Sequence, residues 1–209
     1  MKKKICFFIY DLRIGGAEKI VSEISNELSK SFNITILTVS NENKFDFIID
    51  KNVNIQTLGV KKISNSIMPL FFFLKKNKFD YFIANIWPLT IISSFLCLFF
   101  KNTKSIIIEH SILSDQFLLN SNFIVKYLKY ISVFIFYNLL NKIIAVSITT
   151  KEDLVKIGVN RKKIHVIYNF IKTNNNLINK NLFKKYETKQ KIVKLLNIGI
   201  FKKIKNQSF

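Results

Sequence analysis

Residues 4–21 read KICFFIYDLRIGGAEKIV, and this stretch decides the fold class. The apolar run Lys4–Tyr10 predicts a buried β-strand, and the segment that follows predicts a loop. Beyond the loop, apolar side chains recur at helical spacing over Ala17–Lys30, so a helix begins directly after Gly15 and Gly16. A buried strand followed by an amphipathic helix is the repeating unit of an α/β fold.

The same alternation continues along the chain. Further strands are predicted at Asn33–Ser40, Asn54–Leu58, Tyr81–Asn85, Ser105–Glu109, Lys142–Ser147 and Ile164–Tyr168, and further helices at Ile67–Lys76, Thr90–Phe100, Asn122–Leu140 and Thr149–Ile157. Alternating strands and helices require parallel strands joined by right-handed crossovers. We therefore predict an α/β fold with a doubly wound parallel sheet, whose ligands bind beyond the carboxyl ends of the strands.

Composition divides the chain after Asn169. We predict one domain over residues 1–170 and an Asn- and Lys-rich linker over residues 171–191. The apolar run Ile192–Gly199 predicts one more strand, within a segment of residues 192–209. A single strand cannot bury itself, so we expect this segment to open a second domain that is essentially absent from the chain.

The charge balance bears on partners rather than on fold. The chain has 33 Lys and Arg against 13 Asp and Glu, a formal net charge of +20. Such a charge suits nucleic acid, an anionic membrane surface or an acidic ligand. Because Arg13 and Arg161 are the only arginines and no nucleic-acid-reading motif is present, we expect no nucleic-acid partner.

Neither a signal peptide nor a membrane span is predicted. The N-terminal apolar run is too short for a signal peptide, and the apolar run Ile86–Phe100 is shorter than the roughly 20 residues that cross a bilayer. We expect a cytoplasmic protein that binds peripherally to the inner face of an anionic membrane. Asn122–Leu140 and Ile67–Lys78 combine aromatic residues with lysines such as Lys126 and Lys129, and they are the predicted contact, although core aromatics explain the pattern equally well.

Polar residues at the predicted carboxyl ends are the candidate site residues. Gly15 and Gly16 let backbone amides approach an anion at the start of a helix, although a plain tight turn explains the pair as well. His110 follows Glu109 after an Ile-rich strand. A neutral imidazole there can accept a hydrogen bond from a sugar hydroxyl, an imidazolium can face a phosphate, and a structural histidine is the alternative.

Other residues and motifs narrow the chemistry. Ser147 is expected to cap the helix that follows it, and His165 to be structural or exposed. No HExxH, CxxC or EF-hand pattern occurs, so we predict no metal site. No G-x-S-x-G elbow surrounds Ser147, which argues against a hydrolase triad with His110 and Glu109. The third glycine of a dinucleotide-binding fingerprint is missing, which argues against a dehydrogenase.

Several segments together resemble one family. These are GGAEKIV at 15–21, IIAVS at 143–147, KIHVIYN at 163–169, and LLNIG at 195–199 with KNQ at 205–207. Their order and spacing resemble those of family 4 retaining glycosyltransferases, which have the two-domain GT-B fold. The resemblance implies a Rossmann-like N-terminal acceptor-binding domain followed by the first strand of a nucleotide-sugar-binding domain.

The resemblance also implies roles for individual residues. It places Gly16 at the donor diphosphate and the acceptor, His110 beside the transferred sugar as the candidate catalytic residue, and Lys205 on the diphosphate. The further candidates for donor or acceptor binding are Gly15, Glu109, Ser147 and Asn169. Ile200 stands where the family has an arginine, so one bidentate partner of the diphosphate is missing.

The implied activity is transfer of a sugar from a nucleotide-sugar donor to a lipid-linked or surface-polysaccharide acceptor, with retention and without a metal or other cofactor. The family's catalytic carboxylates, spaced E-x7-E, belong to the second domain, which we expect this chain to lack. Two functions are therefore open. The chain is either an incomplete enzyme that a second polypeptide completes, or a non-catalytic subunit of the same fold that binds the acceptor or a membrane.

Overall fold

The computed structural model describes residues 2–13, 15–40, 46–118 and 122–170. These residues form β1 (Lys4–Ile9), α1 (Gly16–Ser29), β2 (Asn33–Thr38), β3 (Asn54–Thr57), α2 (Ile67–Lys76), β4 (Tyr81–Asn85), α3 (Leu89–Cys97), β5 (Lys104–Glu109), α4 (Leu113–Leu118), α5 (Phe123–Leu139), β6 (Lys142–Ala145), α6 (Ile148–Lys156) and β7 (Ile164–Val166). Short 3-10 helices occupy Ile63–Ser66 and Arg161–Lys163. Residues 1–169 group into one compact unit. The predicted linker and the strand Ile192–Gly199 lie outside the described residues, so the division into domains stays a prediction.

The strands form one seven-stranded sheet in the order β3-β2-β1-β4-β5-β6-β7. Every pairing between neighbours is parallel; Phe8 of β1, for example, pairs with Leu37 of β2 and Ala84 of β4. The order reverses between β1 and β4, which makes the sheet doubly wound and confirms the predicted fold class. All carboxyl ends lie at one edge of the sheet.

Two apolar clusters cover the two faces of the sheet. On one face Phe8, Phe82 and Ile107 pack with buried side chains from α2 to α6. On the other face Phe7, Ile36 and Ile83 pack with Val21 of α1. Strands buried on both faces need apolar residues at successive positions, which is why β1 and β5 are almost continuous apolar runs.

Side-chain caps fix the starts of α4 and α6. Ser147 Oγ accepts a hydrogen bond from Thr150 N (3.0 Å) and caps α6, as predicted. At the start of α4, Asp153 Oδ2 accepts from the backbone amides of Leu113 (2.8 Å) and Ser114 (3.2 Å). The sequence pattern does not reveal α4 because its capping carboxylate comes from a distant part of the chain.

Among the described helices, none has both the length and the apolar character needed to cross a membrane.

The central strand β5 should carry more of the stability than the edge strand β3. Ile107 of β5 is completely buried, so Ile107→Ala leaves a cavity and should lower the free energy of unfolding by about 2–5 kcal/mol. Ile55 of β3 is only partly buried, and Ile55→Ala is the matched control with a clearly smaller loss. Urea denaturation of the 209-residue chain measures both, and equal losses would contradict the assigned sheet order.

Candidate functional site

Asn85 and His110 form a polar pair at the carboxyl edge of the sheet. Asn85 is the last residue of β4 and is fully buried. Its Nδ2 donates to the carbonyl oxygens of Phe8 and Ile83, each at 3.3 Å. Its Oδ1 lies 3.3 Å from Nε2 of His110, the residue that follows β5. Asn85 therefore joins β1, β4 and the end of β5 at the position where the strand order reverses.

The hydrogen bonds of Asn85 determine the tautomer of His110. The amide nitrogen donates to two carbonyls, so Oδ1 is the acceptor, and Nε2 of His110 must carry the proton that it donates. Burial lowers the pKa of His110 to about 4. The ring is therefore neutral near pH 7, which favours the predicted hydrogen-bond acceptor over the predicted imidazolium.

The second ring nitrogen of His110 is left without a partner. Nδ1 is buried and accepts no hydrogen bond from any residue that the structure describes. A buried acceptor without a donor costs about 1–3 kcal/mol. Because Nδ1 is closed to solvent, a ligand hydroxyl reaches it and recovers this free energy only when the side chains that cover it move aside.

The start of α1 lies on the same face and at the same edge of the sheet. Asn85 and His110 belong to the alternating face that holds Ile83 and Ile108, which is the face that α1 covers. A Cβ atom at Gly16, the first residue of α1, would meet no atom within 4 Å. This open space in front of a helix amino end has room for an anionic group.

Gly15 precedes α1 in an extended conformation, with φ −173°. This conformation does not require glycine. The three atoms nearest to a Cβ atom at Gly15 would all belong to the carboxylate of Glu18, and the nearest would clash, so that flexible side chain would have to move. Neither glycine is therefore demanded by the backbone conformation or by packing against another element.

Glu109 faces the opposite side of the sheet from His110. Its carboxylate is fully buried and accepts a hydrogen bond from the Tyr137 hydroxyl of α5, which lies 2.7 Å from Thr90 Oγ1 of α3. Burial raises the pKa of Glu109 to about 7; the two hydroxyls and the Trp87 backbone N–H oppose this rise. The carboxylate thus interacts with side chains of α5 and α3, and a direct contact of Glu109 with a donor or acceptor stays a prediction.

The remaining predicted residues have separate positions. Ser147 lies at the carboxyl edge after β6, where its hydroxyl caps α6. Asn169 is exposed beyond β7, and His165 is exposed within β7. Lys205 lies outside the described residues. No three His, Cys, Asp or Glu side chains within the described ranges converge to hold a metal ion, and metal-free chemistry stays a prediction.

The turn after β4 completes the site. Because ligands bind beyond the carboxyl ends of parallel strands, Asn85–Trp87 is an expected location for chemistry, but the sequence pattern assigns no role to Asn85 itself. Ile86 has a φ of 66°, a left-handed conformation that β-branched residues rarely adopt and that clusters at ligand sites. Beyond it, Trp87 packs against Phe117 with ring centroids 5.0 Å apart, and Lys129 Nζ lies 5.4 Å from the Trp87 ring.

Comparison with known proteins identifies a family. The family described as Glycosyltransferase Family 4 matches residues 14–175. This range includes Gly15, Gly16, Asn85, His110 and Asn169. A search of curated proteins gives no match to the chain.

Solved structures share the fold at low sequence identity. HepE of Anabaena, solved with UDP and glucose, is 17% identical, with a TM-score of 0.60 over 82% of this chain and 45% of its own. The lipopolysaccharide outer core galactosyltransferase WaaB is 16% identical, with a TM-score of 0.60 over 80% of this chain and 46% of its own. A putative UDP-N-acetylglucosamine 2-epimerase from Listeria monocytogenes is 12% identical, with a TM-score of 0.55 over 79% and 44%. The chain thus spans less than half the length of these structures, and the likeness shows the fold alone.

Glu109 and His110 should give stability opposite dependences on pH. The pKa of Glu109 is raised from 4.5 to about 7 on folding, so the folded state holds the proton more tightly and stability falls as pH rises across this range. The pKa of His110 is lowered from 6.5 to about 4, so the unfolded chain binds the extra proton and stability rises with pH up to 6.5. In the wild-type chain the two contributions largely cancel between pH 4.5 and pH 6.5.

Single substitutions should separate the two contributions. Relative to wild type, Glu109→Gln should make the free energy of unfolding rise with pH from 4.5 to 6.5, whereas His110→Gln should make it fall. Each slope is at most about 1.4 kcal/mol per pH unit. Urea denaturation of the 209-residue chain at a series of pH values measures them. Slopes of the same sign in both variants would contradict the assigned protonation states.

Proposed function

The chain belongs to Glycosyltransferase Family 4, and from that premise we propose that it forms the acceptor-side domain of an enzyme that transfers a sugar from a nucleotide-sugar donor. The proposal rests on His110, whose ring is neutral. Its Nε2 lies 3.3 Å from Oδ1 of Asn85, and both residues lie on the sheet face that α1 covers. The family match covers these residues. An uncharged acceptor nitrogen suits a sugar hydroxyl better than it suits a phosphate.

The proposed chemistry assigns separate tasks to the two parts of the site. When the side chains that cover it move aside, Nδ1 of His110 accepts a hydrogen bond from a hydroxyl of the transferred sugar. The amino end of α1 at Gly16 faces the donor diphosphate, and its positive end stabilises the charge that develops there. The bond from C1 to the diphosphate breaks, and a bond from C1 to the acceptor oxygen forms with retention. The leaving diphosphate takes up the acceptor proton, and no metal takes part.

The acceptor in this proposal is a lipid-linked glycan or a surface polysaccharide. WaaB, which shares the fold, is by name a lipopolysaccharide outer core galactosyltransferase, and HepE was solved with UDP and glucose. These descriptions concern those proteins, and at 16–17% identity they support the class of acceptor and donor only by analogy.

Transfer in this proposal requires a second domain in addition to the residues that the structure describes. In this proposal the described residues line one side of a cleft, and by resemblance to the family we expect the catalytic carboxylates on the other side. Ile200 replaces an arginine of the family's diphosphate site, and Lys205 is the remaining predicted contact. This replacement also favours the second candidate function, a non-catalytic subunit that binds the acceptor or a membrane.

The two histidines provide a matched test of the proposed transfer. The assay measures release of nucleoside diphosphate from a panel of nucleotide sugars, by the 209-residue chain with and without a polypeptide that carries the second domain. We expect turnover only with both. His110→Ala should then reduce kcat/KM roughly 10- to 100-fold, because one hydrogen bond to the sugar is lost. His165→Ala, at an exposed position on β7, should leave it unchanged.

Two results would contradict this proposal. One is turnover of a nucleotide sugar by the purified 209-residue chain alone, which would show that no second domain is needed. The other is an equal effect of His110→Ala and His165→Ala in the completed enzyme, which would remove His110 from the site.

Gly16 should be required for transfer but not for folding. Gly16→Ala introduces a methyl group that meets no atom within 4 Å, and alanine favours a helix by up to about 1 kcal/mol over glycine. The Tm should therefore be unchanged or slightly higher. In the completed enzyme kcat/KM should fall, because the methyl group occupies space proposed for the diphosphate. Unchanged kcat/KM would place the diphosphate elsewhere.

A further inference from the structure

The outer side of α5 is apolar although no described element covers it. Residues that face the sheet from α5, such as Val133 and Tyr137, are completely buried. On the opposite side an outer stripe consists of Ile124, Tyr127, Leu128, Ile135 and Leu139, which are 46–68% exposed. At 100° per residue these positions fall on one side of the helix, and no charged residue shares that side.

Aromatic contacts extend this apolar surface across α3 to α2. Ring centroids lie 5.8 Å apart for Phe136 and Phe95, 5.6 Å for Phe95 and Phe99, 6.3 Å for Phe99 and Phe71, and 5.8 Å for Phe71 and Phe72. Phe72, Phe95 and Phe99 are 41–62% exposed. Three helices therefore contribute to one continuous apolar surface. The exterior of an ordinary soluble protein has single, scattered apolar residues instead.

Lysines border the apolar surface on the α2 side. Lys75 and Lys76 lie exposed in the last turn of α2, and Lys101 lies exposed beyond α3. Lys75 and Lys101 line the same surface depression as Phe99. An uncharged apolar face beside a group of cations is the arrangement by which helices bind in the interface of an anionic bilayer.

The lysines of α5 itself do not take part in this arrangement. Lys129 Nζ lies 5.4 Å from the Trp87 ring and 5.6 Å from the Phe117 ring, beneath α5. Lys126 is partly buried and falls by helical spacing on the inner side with Val133. Membrane contact by Lys126 and Lys129 stays a prediction, and the docking surface proposed below does not include them.

We propose that the α5 stripe and the α2–α3 aromatics form a docking surface for an anionic lipid bilayer. The stripe lies in the plane of the interface with its apolar side chains at the acyl boundary, and Lys75, Lys76 and Lys101 contact lipid phosphates. The net charge of +20 complements anionic lipid and opposes the pairing of two copies through this face. The inference does not depend on the proposed sugar transfer.

Vesicle co-sedimentation of the 209-residue chain tests the docking surface. The vesicles are phosphatidylcholine alone and an equimolar mixture of phosphatidylcholine and phosphatidylglycerol. The wild type should bind the mixture more tightly. Leu128→Glu/Ile135→Glu should abolish binding. Lys75→Glu/Lys76→Glu should weaken binding to the mixture at least roughly 20-fold, at about fivefold per lysine.

A matched control variant distinguishes binding through this surface from general attraction by the net charge of the chain. Lys51→Glu/Lys162→Glu makes the same change of charge at exposed positions outside α2, α3 and α5, and it should lose much less binding than the Lys75/Lys76 variant. All substituted residues are exposed in the wild-type chain. Circular dichroism should confirm that each variant is folded.

Three results would overturn the proposal. The first is an equal loss in the control and the Lys75/Lys76 variant, and the second is unchanged binding by Leu128→Glu/Ile135→Glu. The third is a stable dimer in lipid-free sedimentation that the same stripe variant dissociates, because a second copy of the chain would then cover the surface.

Discussion

The parallel direction of all seven strands is the constraint on which the site depends. It brings every carboxyl end to one edge, and the reversal of strand order between β1 and β4 opens a crevice there. Asn85 closes the floor of this crevice through its hydrogen bonds to Phe8 and Ile83, and it orients His110. The same sheet must be covered on both faces, so adjacent residues at its edge have different environments. Glu109 enters the helical core, whereas His110 faces the α1 side.

Desolvation gives these two neighbours a common property. Burial raises the pKa of Glu109 and lowers the pKa of His110, so in each case the uncharged form is favoured. Glu109 then stabilises the fold through the hydrogen bonds that link it to Tyr137 and Thr90. His110 keeps a neutral ring whose acceptor nitrogen has no donor among the described residues. In the proposed transfer, the charge of the donor diphosphate is met by the amino end of α1 and by lysine rather than by His110. Recognition of the sugar and stabilisation of the leaving group are thus performed by different residues.

Local patterns in the sequence predict much of this architecture. The bounds of α2 and β4, Ile67–Lys76 and Tyr81–Asn85, agree with those predicted from the sequence. The predicted strand ends also indicated that Gly16 and His110 lie at the carboxyl edge of the sheet. The rest depends on contacts between residues far apart in the chain. Asp153 caps α4, Tyr137 binds Glu109, and Lys129 lies against Trp87. Apolar residues occur on every side of α5, so its sequence also does not reveal which side faces the core or that Lys129 packs against Trp87.

The state of the His110 ring is the most direct test of this account. In the His165→Ala background His110 is the only histidine, so nitrogen NMR of ¹⁵N-histidine-labelled chain reports its tautomer and its titration without overlap. We expect a neutral ring at pH 7 with the proton on Nε2 and a titration midpoint at about 4. A midpoint near the ordinary 6.5, or a proton on Nδ1, would contradict the hydrogen bond to Asn85 and the site built on it.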